Sequence, residues 1–252
     1  MISLNDRRVL VVGGTSGIGL AVAHLAAGQS ARVTIAGRSP ERLSAALGTL
    51  PGAKGLQFDI GDDTTVTEML APLQPFDHVV VSAGSVAPAS FRGNPVTSAM
   101  SGFNTKLWGA WRVAAQAPLA SDASITFISG VFAERPSAKN VAASCVNAAL
   151  EALARALAVE LGPVRVNAVS PGLVDTPMWS AMPEERRTAY FASVAEKLPA
   201  RRICADEDVA ALVIACMTNP SLTGAVLKVD GGYSPRKSRS RSGPYRRHRH
   251  AD

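Results

Sequence analysis

The chain has few of the residues that build metal centres and disulfide frameworks. Three cysteines (Cys145, Cys204 and Cys216) and four histidines are scattered over 252 residues, with no CxxC pair. An odd and dispersed cysteine set excludes a disulfide scaffold, and thiols and imidazoles are too sparse for a zinc site. No metal is therefore expected, and reduced thiols in a cytoplasmic protein are the default expectation. No run of 18 uncharged apolar residues occurs, so no membrane-spanning helix is expected. The first residues, MISLNDRRVL, lack the basic-then-apolar order of a signal peptide.

Acidic residues are scarce at one end only. The formal net charge is +6, which suggests polyanionic partners until its distribution is examined. Seven of the 26 basic residues, but one of the 20 acidic ones, lie beyond Tyr233, so the preceding 233 residues carry equal numbers of each. The excess sits in residues 234–252, SPRKSRSRSGPYRRHRHAD. With almost no apolar content, that stretch is expected to be a disordered, solvated tail. Weak, salt-sensitive binding of nucleic acid or anionic lipid is the second reading of it.

The body of the chain is rich in apolar residues, at 47% hydrophobic and 18% charged overall, enough for a buried core. Short β-rich runs at 8–12, 32–36, 55–58, 78–82, 124–129, 164–169 and 225–229 alternate with helical stretches. Several, such as VLVV and HVVVS, are continuously apolar, as strands covered on both faces are. The longest helix is expected over 142–161, with Leu150, Leu153, Ala154, Leu157 and Leu161 forming a buried stripe. The fold class expected is α/β: one doubly wound Rossmann-type domain over 1–233, with a seven-stranded parallel sheet and helices on both faces.

Between the first strand and first helix lies Gly13-Gly14-Thr15-Ser16-Gly17-Ile18-Gly19. Gly13 permits a tight turn, Gly17 lets a diphosphate approach the backbone, and Gly19 allows close packing of helix on strand. Free amides and the helix dipole favour an anion there. Gly13, Thr15, Ser16, Gly17, Ile18 and Gly19 are therefore candidate coenzyme-binding residues.

With this turn, four further motifs make the chain resemble the short-chain dehydrogenase/reductase family over residues 5–233. Asp59-Ile60 follows the third strand, Ala83-Gly84 the fourth, Pro171-Gly172 with Thr176 the sixth, and Asp230-Gly231-Gly232 the seventh. The resemblance implies a nicotinamide coenzyme, with Asp59 and Ile60 at the adenine and Ala83 and Gly84 at the ribose. At the end of the second strand an NAD site would place an acid; here the sequence reads Gly37-Arg38-Ser39. Arg38 can pair with a 2′-phosphate and Ser39 can add a hydroxyl, so NADP(H) is expected.

The resemblance also implies a Ser, Tyr, Lys and Asn set for proton handling. The Lys position falls at Asn147, the Tyr position at Ala143 and the Ser position at Gly130, and no Tyr occurs in 133–161. Asn147 could still bond the coenzyme ribose. Asn104 and Ser129 are the remaining catalytic candidates. Residues 176–198, with Met178, Trp179, Met182, Tyr190 and Phe191, would form a lid over a small, apolar substrate. Two readings lead: an NADP(H)-dependent oxidoreductase with an altered catalytic set, and a catalytically silent dinucleotide-binding module. A binder acting through the tail comes third. The resemblance further implies a homodimer or homotetramer, and no membrane partner is expected.

Overall fold

The computed structural model describes residues 2–92 and 95–234. From residue 235 on, the tail lies outside the described residues. The strands are β1 (Arg8–Val12), β2 (Arg32–Gly37), β3 (Lys54–Gln57), β4 (Phe76–Val81), β5 (Leu119–Ile128), β6 (Arg165–Pro171) and β7 (Val226–Val229). They form one sheet in the order β3-β2-β1-β4-β5-β6-β7, and every pairing is parallel. The expected seven-stranded, doubly wound domain is thus the observed one.

Side chains of a strand alternate between faces, so a continuously apolar strand serves two cores. In β1, Val9 and Val11 join one core, with α1 (Gly17–Gly28), α2 (Pro40–Gly48) and α8 (Asp206–Thr218). Leu10 and Val12 join the other, with α3 (Asp63–Leu70), α5 (Gly109–Gln116) and α6 (Val141–Glu160). Each fully buried aliphatic side chain of this kind contributes about 1.5–3 kcal/mol.

The remaining helices, α4 (Val96–Phe103) and α7 (Glu184–Ala195), precede α5 and α8. A π-helical turn, Asn104–Trp108, joins α4 to α5 without a break. By length and composition alone α6 could cross a membrane. Its Val146, Leu150, Leu153 and Ala154 are instead buried against the sheet, which is the behaviour of a core helix.

Candidate functional site

The strand order reverses between β1 and β4: β1 leads through β2 to one edge, and β4 begins the run to the other. In open α/β sheets, ligands bind in the crevice outside the carboxyl ends of the strands at such a point. The glycine turn follows β1 there. Gly13 has φ +85°, and a Cβ on it would stand 2.6 Å from the Ala83 amide nitrogen. A Cβ on Gly19 would stand 2.1 Å from the Gly13 carbonyl oxygen. Neither position has room for a side chain, so the backbone itself lines the crevice. Ser16, the extended cap of α1, makes no side-chain capping bond, which leaves the first-turn amides available to an anion.

The other coenzyme candidates gather around this turn. The Thr15 methyl lies 2.6 Å from where a Cβ on Gly37 would stand, at the tip of β2. Thr176 flanks Gly17 at 3.2 Å by the same measure. Ile18 packs against the α1–α8 core. Just past β2, Arg38 is exposed. Ser39 caps α2: its Oγ accepts from the Arg42 amide at 3.2 Å and donates to Glu41 at 2.7 Å. That hydroxyl holds the Glu41 carboxyl below its ordinary range.

Asp59 accepts the Gly61 amide at 2.8 Å, and Ile60 is buried against the start of α5. Gly84 has φ +96° and lies against the Lys106 backbone, at 2.8 Å for a Cβ placed on it. Pro171 is buried at the end of β6, and Gly172 abuts Asp230 after β7.

The region expected to handle protons differs from its sequence outline. Asn104 donates through Nδ2 to the Gly61 carbonyl at 3.0 Å, and its own carbonyl accepts from Arg112 at 3.1 Å. Its amide thus steadies the loop after β3. Two residues on, Lys106 reaches the end of β5, where Nζ donates to the Ser129 carbonyl at 3.0 Å. The buried Ser129 hydroxyl is directed at α6: it donates to Glu151 Oε1 at 2.7 Å, with the Asn147 carbonyl at 3.3 Å. Burial pushes the Lys106 ammonium down to about 8, against the pull of the Glu151 charge, which raises it.

Asn147 completes the group. It is 4% exposed, and its Oδ1 has no hydrogen-bond partner. Its Nδ2 lies 2.8 Å from where a Cβ on Gly130 would stand, so the side chain fills the room a residue larger than glycine would take there. Ala143 lies one turn earlier on the same helix. The structure therefore brings Ser129, Gly130 and Asn147 together, adds Lys106 and Glu151, and directs Asn104 elsewhere. The sequence signal for Lys106 is its isolation: it is the one charge in the stretch Phe103–Trp111, FNTKLWGAW.

In residues 176–198, Trp179, Tyr190 and Phe191 form an aromatic cluster with centroids 5.6–6.0 Å apart. Beside it, Met178, Trp179, Met182, Pro183 and Arg186 line an open groove of about 370 Å³. Among the described residues, no three His, Cys, Asp or Glu side chains group as metal ligands.

The cradle and fold together define a doubly wound dinucleotide-binding protein, and comparison with known proteins places it more closely. Residues 12–234 match the family model described as enoyl-(acyl carrier protein) reductase. The short-chain dehydrogenase/reductase ucsE of Acremonium sp is 32% identical, across 91% of this chain and 96% of its own. A small-chain dehydrogenase crystallised in complex with NADPH is 31% identical, with TM-score 0.79, over 90% of this chain and 98% of that one. The MalC reductase/Diels-Alderase of Malbranchea aurantiaca is 29% identical, with TM-score 0.83, over 91% and 96%. The chain belongs to the short-chain dehydrogenase/reductase family, whose members are oxidoreductases using a nicotinamide dinucleotide on small molecules.

Proposed function

We propose that the protein is an NADP(H)-dependent oxidoreductase acting on the carbonyl or alcohol group of a small, apolar molecule, with a catalytic set that lacks the usual tyrosine and lysine. The observation that carries this reading is the partnerless Oδ1 of Asn147, buried on α6 beside Ser129 at the end of β5. A buried acceptor without a donor costs about 1–3 kcal/mol. A ribose hydroxyl of a nicotinamide coenzyme supplies the missing donor.

In this reading Gly13, Thr15, Ser16, Gly17, Ile18 and Gly19 hold the diphosphate. Arg38 holds the 2′-phosphate, while Ser39, expected to add a hydroxyl there, donates to Glu41 and caps α2 instead. Asp59 and Ile60 hold the adenine, and Ala83 and Gly84 the neighbouring ribose. Asn147 takes the nicotinamide ribose, while Pro171, Gly172 and Thr176 close the crevice from the β6 side. A bound reduced coenzyme supplies hydride. Asn104 and Ser129 act by position, Asn104 steadying the loop after β3 and Ser129 tying β5 to α6. The aromatic cluster around Trp179 closes over the substrate.

The test is fluorescence titration with NADPH and NADH, followed by turnover on a carbonyl panel. Tight NADPH binding with turnover supports the reading; no binding of either coenzyme overturns it. The second reading, a silent coenzyme-binding module, is favoured by Ala143, which offers no hydroxyl. It predicts tight binding without turnover, and turnover gained in Ala143→Tyr/Asn147→Lys. Self-association belongs to the same proposal: Met100, Trp108 and Trp111 are exposed along α4, the π-turn and α5, an apolar strip suited to a second copy. Replacing both tryptophans with Glu is expected to shift a dimer or tetramer to monomer in light scattering. An unchanged mass removes that face from the interface.

A further inference from the structure

We propose that Lys106 is a catalytic residue that exchanges a proton with the substrate oxygen, in place of the tyrosine absent at residue 143. This rests on the oxidoreductase reading above and deepens it.

The π-helical turn Asn104–Trp108 inserts Lys106 between the ends of two central strands. Its backbone lies against Gly84, after β4, and its Nζ against the Ser129 carbonyl, at the end of β5. Extra residues in a helix of this kind often mark functional sites, because they turn a side chain out of register with the rest of the helix. Ser129 in turn leads to Glu151 and Asn147 on α6. The ammonium therefore stands at the carboxyl edge of the sheet, in the group that also contains the partnerless Asn147 amide oxygen. An ammonium has three donors, and Ser129 takes one of them.

The charge balance agrees. Of the elements packed on the π-turn, α4 carries no ionisable side chain. Arg112 of α5 is occupied by Asp63 at 2.8 Å and by the Asn104 carbonyl. Glu151 of α6 is the charge that acts on Lys106. Burial outweighs it and brings the group to about 8, where an amine gives and takes protons near neutral pH. A lysine serving only as a tie between helix and strand gains nothing from such a loss of basicity.

The carbonyl carbon is reduced by the hydride that NADPH gives up, one C–H bond forming there as the C–H bond of NADPH breaks to leave NADP+, and the C=O π pair moves to oxygen. An O–H bond forms there as an N–H bond of Lys106 breaks, and the neutral amine takes a proton back from water. In the reverse direction the amine accepts the alcohol proton. Reduction needs the ammonium, so its rate falls as pH rises through about 8, whereas oxidation rises over the same interval.

Three measurements test this. NADPH oxidation is followed against pH with 9,10-phenanthrenequinone, ethyl acetoacetate and 3-oxobutanoyl-N-acetylcysteamine. Lys106→Met is expected to lower kcat/KM by about 10²–10⁴ while NADPH fluorescence titration stays within about twofold of the unaltered protein. Lys106→Arg keeps a cation that does not titrate, so it loses the break near 8. Glu151→Gln moves the break to lower pH by removing the charge that raises it, a displacement that a merely structural role does not produce.

Independently of turnover, acetylation of Lys106 in the unaltered protein by acetic anhydride, followed by mass spectrometry, is expected to show a midpoint near 8. A midpoint near the ordinary 10.5, a Lys106→Met protein as active as the original, or NADPH binding without turnover of any probe overturns the inference. Failure to bind NADPH at all overturns the oxidoreductase reading instead. Should Lys106→Met not fold, the arginine variant and the labelling midpoint decide.

Discussion

Arg38 and Glu41 bring opposite charges to the tip of β2, with the Ser39 hydroxyl bonded to the acid. A hydrogen bond to a charged group contributes about 1.5–3 kcal/mol, or roughly 10–150-fold in affinity. Arg38→Ala is therefore expected to weaken NADPH binding by that factor and leave NADH binding nearly unchanged. Equal loss for both coenzymes in titration would take Arg38 away from the 2′-phosphate. His78 offers a second test at this scale. It is 3% exposed, its Nδ1 lies 2.9 Å from Ser124 Oγ, and burial holds it down to about 4 instead of 6.5. The unfolded chain binds this proton first as pH falls, so the stability from a neutral His78 is whole above about 6.5. It is lost progressively down to about 4, by about 3 kcal/mol in all. His78→Gln should flatten the urea-denaturation midpoint between those values, and an unchanged slope would place the sensitive group elsewhere. The Gly37-Arg38-Ser39 run at the end of β2 is a local fact that the sequence prints directly, whereas Glu41 comes to its side only through the cap of α2. The surroundings of Lys106 are not local, because Gly84, Ser129 and Glu151 come from three other parts of the chain and meet only in the fold.

The elements themselves follow from short-range pattern, and where they depart from it a neighbour explains the difference. Sequence pattern places the fifth strand at 124–129, whereas β5 starts at Leu119. The segment Leu119–Asp122 has only two apolar residues before the exposed polar pair Ser121-Asp122 breaks the run, yet pairing of Leu119 with Phe76 of β4 draws it into the sheet, across an irregularity in register. The π-turn was equally illegible, since one inserted residue leaves the apolar spacing of Leu107, Ala110 and Val113 intact enough to read as ordinary helix. By contrast, the junction of β1 and α1 was read correctly from its glycines. Adding a methyl at Gly19 against the Gly13 carbonyl must move backbone, an overpacking cost of about 1–3 kcal/mol. Gly19→Ala is expected to lower the thermal midpoint by roughly 2–12 °C and to abolish NADPH binding. Retention of both would show that the loop has slack. Gly130 differs in kind, because the atom its Cβ would meet is the Asn147 amide, the movable end of a side chain.

For the molecule as a whole, the parallel sheet has a consequence for its last residues. Because β7 runs with the other strands, the chain leaves the sheet at the edge that holds the crevice. The exit is fixed: Asp230 accepts from the Gly232 amide at 2.8 Å and from the Ser234 amide and hydroxyl at 2.8 and 2.6 Å, and Arg135 donates to the Ser234 carbonyl at 2.8 Å. Seven cations follow within 18 residues. A body of balanced charge thus ends at Ser234, on the side of the sheet that holds the crevice, with the surplus next in sequence. Attraction between such cations and a polyanionic coenzyme speeds encounter more than it prolongs residence. A chain ending at Ser234 should release NADPH at the original rate in stopped-flow traces but capture it more slowly at low salt, the gap closing as salt screens the charges. Identical capture rates at every salt concentration would show that these cations do no recruiting, and that the capture speed is set by the neutral body alone.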